Sequence, residues 1–299
     1  MVPAGAEPRS TRRRTPIPRA VWLVTGVHVL LLAVYSVLVP AFRAPDELLH
    51  VERIRRLAAD GPAGAPLADP AGEGPAVAAA VLGAATSSPA YTAGAPPVGI
   101  AEALPPAERP SFEDLAEALP GDALPAEALP TEALPAGATV STVADRPPLA
   151  TWLGAAVLTA AGAVLPGWPW SFDRTVALLR LVDVAVVATL PILAWATARR
   201  FGCPPRASLT AAVAVMAVPQ LTHVGSVVGD DALVLALAAV VFLLGARVVT
   251  GDRTRRTAVL GGLACGLALL AGGSALVLPL WMVLAYALAP RRTAAGPPG

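Results

Sequence analysis

Seven apolar stretches punctuate this chain, at residues 20–42, 149–165, 175–198, 207–224, 232–249, 257–270 and 274–288. A helix needs about 20 residues to cross the roughly 30 Å hydrocarbon layer of a bilayer. The first stretch is nearly uncharged and meets that length, so it predicts a transmembrane helix. Arg12, Arg13, Arg14 and Arg19 flank it as they would a signal peptide. The run is longer than a usual signal core, however, and lacks a small-x-small cleavage site, so a retained anchor is the reading.

Arginine clusters then set the topology. They lie at residues 9–19, at Arg199, Arg200 and Arg206, at Arg247, Arg253, Arg255 and Arg256, and at Arg291 and Arg292. Basic residues favour the cytoplasmic side. If all seven stretches crossed, the later clusters would face outward; if 149–165 does not cross, every cluster falls inside. That stretch is also short and rich in Ala and Gly, and is followed by Pro166, Trp168, Pro169 and Trp170, residues suited to a membrane interface. It is read as an interfacial or re-entrant helix.

The expected fold is all-α, a polytopic transmembrane helix bundle with a long Pro/Ala-rich extracytoplasmic loop. Residues 1–19 form a basic cytoplasmic tail, 20–42 the first transmembrane helix and 43–148 the loop, with a low-complexity insert at about 60–140. Residues 149–290 form the membrane bundle and 291–299 a second cytoplasmic tail, which makes six crossings.

Composition agrees with lipid as the solvent: of 299 residues, 55% are hydrophobic and only 14% charged. The net charge of +1, with arginines spaced between apolar runs, excludes a nucleic-acid binder. The chain has no Lys and no Asn, a bias of GC-rich bacterial genomes, which points to a bacterial plasma membrane. Cys203 and Cys265 have no close Cys or His neighbours, so neither a disulfide nor a metal site is expected.

The insert carries a five-residue repeat, Glu117 to Pro120, Asp122 to Pro125, Glu127 to Pro130 and Glu132 to Pro135, with an isolated copy from Glu102 to Pro105. Proline at every fifth residue removes backbone donors and clashes with the preceding turn. A semi-extended, mobile, acidic insert follows, either a tolerated low-complexity insertion or a tether.

Candidate chemistry sits beside the apolar stretches. Directly after the first helix come Asp46, Glu47 and His50; on a helix Asp46 and His50 share a face, and Leu48, Leu49, Ile54 and Leu57 form an amphipathic stripe. Asp145 and Arg146 precede Pro147 and Pro148 at the start of the interfacial stretch. Asp230 and Asp231 are paired acids on the outer face of the predicted topology, costly near lipid unless they meet water or a partner. Arg180 and Asp183, three apart on one helix, are expected to pair with each other or with neighbouring helices. His28 and His223 lie in apolar helices and receive no role.

The order of these motifs resembles that of the GT-C superfamily of polytopic membrane glycosyltransferases and a related uncharacterised bacterial membrane family. The matches are the acidic motif Pro45, Asp46, Glu47 with His50, and Pro147-Pro148-Leu149 opening a membrane-associated helix. They continue with Leu179-Arg180, the run from Ala198 to Gly202, Pro219-Gln220 leading to Asp230 and Asp231, and the glycine-rich run from Gly262 to Leu270. The resemblance implies a sugar transferase working on the outer face with a polyprenyl-phosphate sugar donor. Asp46 matches the general base, with Glu47 beside it; His50, Arg146, Arg180, Asp230 and Asp231 are the substrate-binding candidates.

Where such relatives carry Lys after the glycine-rich run, this chain has Ala271, Gly272, Gly273 and Ser274, so a divergent or shortened member is expected. The expected partners are membrane lipid and the lipid-linked sugar donor; no cofactor is expected, with a divalent cation left open. A non-catalytic scaffold that binds lipid or a protein partner, and a transporter component, are the alternatives.

Overall fold

The computed structural model describes residues 16–39, 41, 44, 47–60, 108–114 and 149–290. Asp46, Arg146 and the repeat of the insert lie outside the described residues. Among those described, the secondary structure is helical, and the one extended pairing is an isolated bridge between Ser111 and Ser171.

Helix α1 spans Arg19–Leu38. Pro18 precedes it without needing a donor, and it stops at Val39, whose extended backbone suits a residue ahead of Pro40. Its buried face is Val21, Thr25, His28 and Leu32, a helical stripe. Leu23, Leu30, Val37 and Leu38 are 64–82% exposed on the other side. A helix apolar all round and buried along one stripe is suited to a membrane by its composition.

Helix α2 is Glu47–Asp60, and α3 is Leu149–Val164, laid along it. Ile54 of α2 presses so closely on Gly154 of α3 that a Cβ there would lie 2.7 Å from it. Next come α4, Phe172–Val187, and α5, Leu190–Arg200. The sequence predicts one helix here, and the structure breaks it at Ala188 and Thr189, where Pro191 interrupts the hydrogen-bond ladder. Stretch 207–224 is likewise interrupted, into α6 (Pro205–Ala214), a 3₁₀ turn (Val215–Ala217) and α7 (Pro219–Val224), because Pro219 cannot continue the helix.

Helix α8 is Asp231–Val249 and α9 is Arg255–Ala271; a 3₁₀ turn at Gly273–Leu276 leads into α10, Val277–Leu288. Helices α5 and α8 end in the same way. Gly202 (φ +84°) and Gly251 (φ +97°) take the left-handed conformation, and the next residue donates back to Ala198 or Arg247 to cap the helix.

Among the described residues three helical stretches are long and apolar enough to cross a membrane: Arg19–Leu38, Phe172–Arg200 (α4 and α5 taken together) and Asp231–Val249. Leu149–Val164 and Gly273–Leu288 are apolar but shorter. The packing sorts the two ends of the bundle. Val21, near the start of α1, packs with Trp195 of α5 and Ala212 of α6, whereas Ser36 and Val39 at its other end accept hydrogen bonds from Arg180 of α4. Asp252, after α8, feels the charge of Arg200, and Arg253 donates to the Tyr286 carbonyl near the end of α10. Arg19, Arg199, Arg200, Arg247 and Arg253 therefore share one end. Glu47, Arg180, Asp183 and Asp230 lie toward the other.

Within the insert, which the sequence predicts as mobile and semi-extended, residues 108–114 pack onto this second end. Ser111 and Asp114 cap each other reciprocally, with 2.8 and 3.1 Å bonds between the side chain of each and the backbone N–H of the other. Phe112, 1% exposed, meets Phe172 edge-on at 6.3 Å. The Phe172 N–H donates to Pro110, and Arg109 pairs with Asp173 at 2.7 Å.

Candidate functional site at the acidic end of the bundle

Glu47 opens α2, where a carboxylate suits the positive end of the helix dipole. It is fully buried, and burial of a charge demands an internal partner. Arg180, 4% exposed on α4, supplies one: its Nε donates to Glu47 Oε1 and its Nη2 to Oε2, both at 2.8 Å. This is the two-pronged geometry in which guanidinium and carboxylate match best. The remaining terminal nitrogen, Nη1, donates to the Ser36 and Val39 carbonyls at 2.6 Å each. Carbonyls at a helix C-terminus lack intrahelical donors, so Arg180 also caps α1.

The backbone leading into α8 is fixed by three acids or their partner in succession. Val228 N–H donates to Glu47 Oε1 at 3.1 Å, and Gly229 N–H to Asp183 Oδ2 at 3.3 Å. Asp230 Oδ1 lies 2.9 Å from His50 Nδ1. His50 is one turn beyond Glu47 on α2, so both reach the same segment. This close approach of an imidazole nitrogen and a carboxylate oxygen places His50 beside the start of α8.

The structure thus brings together Glu47, His50, Arg180 and Asp230. Asp231, the next residue, is exposed at the first turn of α8 and stands apart from that network. Arg180 turns to Glu47 on a neighbouring helix rather than to Asp183, one of the two pairings the sequence left open. Sequence reasoning missed the backbone donors of Val228 and Gly229, which carry no side-chain signature. Beside His50, Asp183 and Gly229, with Thr151 and Gly154 of α3, lies a cavity of about 20 Å³, room for a water molecule. Among the described residues no group of three or more His, Cys, Asp or Glu side chains is placed to hold a metal ion.

What this arrangement can do is hold the first turn of α2 against α1, α4 and the start of α8, at the end of the bundle away from Arg199 and Arg200. Within it, Glu47 and Arg180 compensate each other's charge. No protein-family model, curated protein or solved structure matches the chain.

Proposed function

We propose that the chain is a multi-pass protein of the bacterial plasma membrane, with both termini cytoplasmic, and a GT-C-like glycosyltransferase. It transfers a sugar from a polyprenyl-phosphate donor at the outer face. The observation that carries this reading is the clamping of Glu47 by Arg180, which fixes the start of α2 at the end of the bundle opposite Arg199 and Arg200. A general base needs a defined position within hydrogen-bond reach of its proton, and Asp46 immediately precedes that clamp.

In this reaction Asp46 takes the proton of an acceptor hydroxyl as its oxygen attacks the anomeric carbon. The bond from that carbon to the phosphate oxygen breaks, and polyprenyl phosphate leaves. Glu47 acts as a positioning residue, since its carboxylate is committed to Arg180 and Val228. His50, beside Asp230, is the nearby proton-handling group. Orientation follows from the basic end facing the cytoplasm.

A second reading, a non-catalytic membrane scaffold, draws support from Arg180. Its N–H groups already go to Glu47, Ser36 and Val39, so this cation is not available to a donor phosphate. The two readings separate on Asp46→Asn. Expressed at the wild-type level, this variant is expected to abolish transfer from a polyprenyl-phosphate sugar and to alter the cell-envelope glycan profile. A profile identical to wild type would overturn the enzyme reading.

A further inference from the structure

At the end of α2 away from Glu47 a cavity of about 350 Å³ opens between α2, α3, the docked 108–114 segment and the turn into α4. Its walls include Arg55, Phe112, Glu113, Trp168, Trp170 and Thr175. The apolar cluster of Val51, Ile54, Leu158, Val176 and Leu179 lies between it and the Glu47–Arg180 pair, so it is a separate site. We infer that this cavity binds a neutral saccharide of one or two rings.

The inference rests on what the walls offer. Trp168 and Trp170 stand 5.8 Å apart with their planes tilted by 49°, and both are only partly buried. Trp170 spends its N–H on the Pro166 carbonyl at 3.1 Å, so what it presents to a ligand is a carbon face. Such a face matches the C–H face of a pyranose ring. The Arg55 guanidinium is held 3.9 Å above the Phe112 ring, and its contact with Glu113 is long, 3.4 Å. Glu113 is 55% exposed. A planar donor beside a loosely engaged acceptor suits the hydroxyls of a sugar, which need both.

Competing ligands fit less well. An anionic headgroup would meet the Glu113 carboxylate as well as Arg55. A purely apolar chain would strip water from both charges and return no hydrogen bond. The volume lies at the lower end of the range of small-molecule sites, roughly 300–1,000 Å³. The role of the bound saccharide as the remote part of an acceptor glycan rests on the glycosyltransferase reading; its binding does not.

The full chain in nanodiscs, titrated with cellobiose, mannobiose and N,N′-diacetylchitobiose, tests this by saturation-transfer NMR and tryptophan fluorescence. At least one disaccharide is expected to bind. Binding should weaken roughly tenfold in Trp170→Ala, the scale of one lost aromatic contact, and less in Trp170→Phe. Glu113→Gln, at an exposed position that leaves the fold intact, should weaken it as well. Asp46→Asn should bind as wild type does, which separates this site from the transfer reaction. Failure of all three sugars to bind, indifference to both Trp170→Ala and Glu113→Gln, or displacement of the sugar by dihexanoyl-phosphatidylglycerol would overturn the assignment.

Discussion

Arg180 of α4 and Glu47 of α2, 133 residues apart in sequence, face each other through two 2.8 Å hydrogen bonds and are 4% and 0% exposed. Removing one partner of a buried pair strands the other charge, at about 3–5 kcal/mol. Arg180→Ala also uncaps α1. It should lower the thermal unfolding temperature in detergent markedly, and Glu47→Gln should do so less, since an amide oxygen still accepts. The double variant Arg180→Met with Glu47→Leu should recover much of the loss, because apolar replacement of a whole pair is tolerated. Equal stability of wild type and Arg180→Ala would show that the pair holds nothing together.

The apolar lengths of α1 and α8 were legible because about 20 uninterrupted apolar residues have few alternatives to a spanning helix. The breaks at Ala188 and Val218 were less so. Proline marks where a ladder can fail, but neighbouring packing decides whether the helix kinks or restarts. Glu47 and His50 were visible as ionisable residues directly after an apolar stretch, and Arg180 and Asp230 as charges within or beside one, and that is what singled them out. Their partnership was not visible, since nothing local couples residue 47 to residue 180. The docking of residues 108–114 had one faint signal, the single Phe of the insert beside a Ser-x-x-Asp cap.

The end-sorting of arginines gives a direct test of orientation. Cys203, half-buried just past Gly202, reports on the end that carries Arg199 and Arg200; Cys265 is buried in α9. On intact cells a membrane-impermeant maleimide should leave Cys203 unlabelled and react with it only after permeabilisation. In a Cys203→Ser background, Asp231→Cys should label from outside. Labelling of Cys203 on intact cells would reverse the proposed topology and remove the six-crossing count with it.

Asp252, in the turn between α8 and α9, gives a pH dependence. Burial pushes its carboxyl up, but donors from Thr254 and Thr257 with the Arg200 charge outweigh that and hold it below its ordinary 3.8. A carboxyl lowered in the folded state contributes stability above the unfolded value, and loses it as pH falls through the folded one. The contribution is therefore full at neutral pH, begins to fall near 4 and is gone only below the lower, folded-state value. The group is largely solvent-screened, so at most about 1 kcal/mol is at stake. Thermal unfolding between pH 7 and 3 should show Asp252→Asn converging with wild type at the acid end. A constant gap between them would mean that the charge of Asp252 has no part in holding the turn.

Two glycines in neighbouring helices should respond oppositely to the same added methyl. At Gly245 of α8 a Cβ would lie 2.5 Å from the Trp281 indole nitrogen of α10, closer than real contacts allow. Helix α8 and α10 approach each other there, Phe242 and Trp281 sitting 5.3 Å apart. Gly245→Ala must push the indole or the helix aside, at about 1–3 kcal/mol. Gly262 of α9 meets nothing within 4 Å and is exposed, so Gly262→Ala meets no such obstacle and adds helix propensity worth up to about 1 kcal/mol. Unfolding temperatures of the two variants in one detergent should therefore fall on either side of wild type. If Gly245→Ala were the more stable of the pair, the close approach of α8 and α10 would not be what this glycine provides.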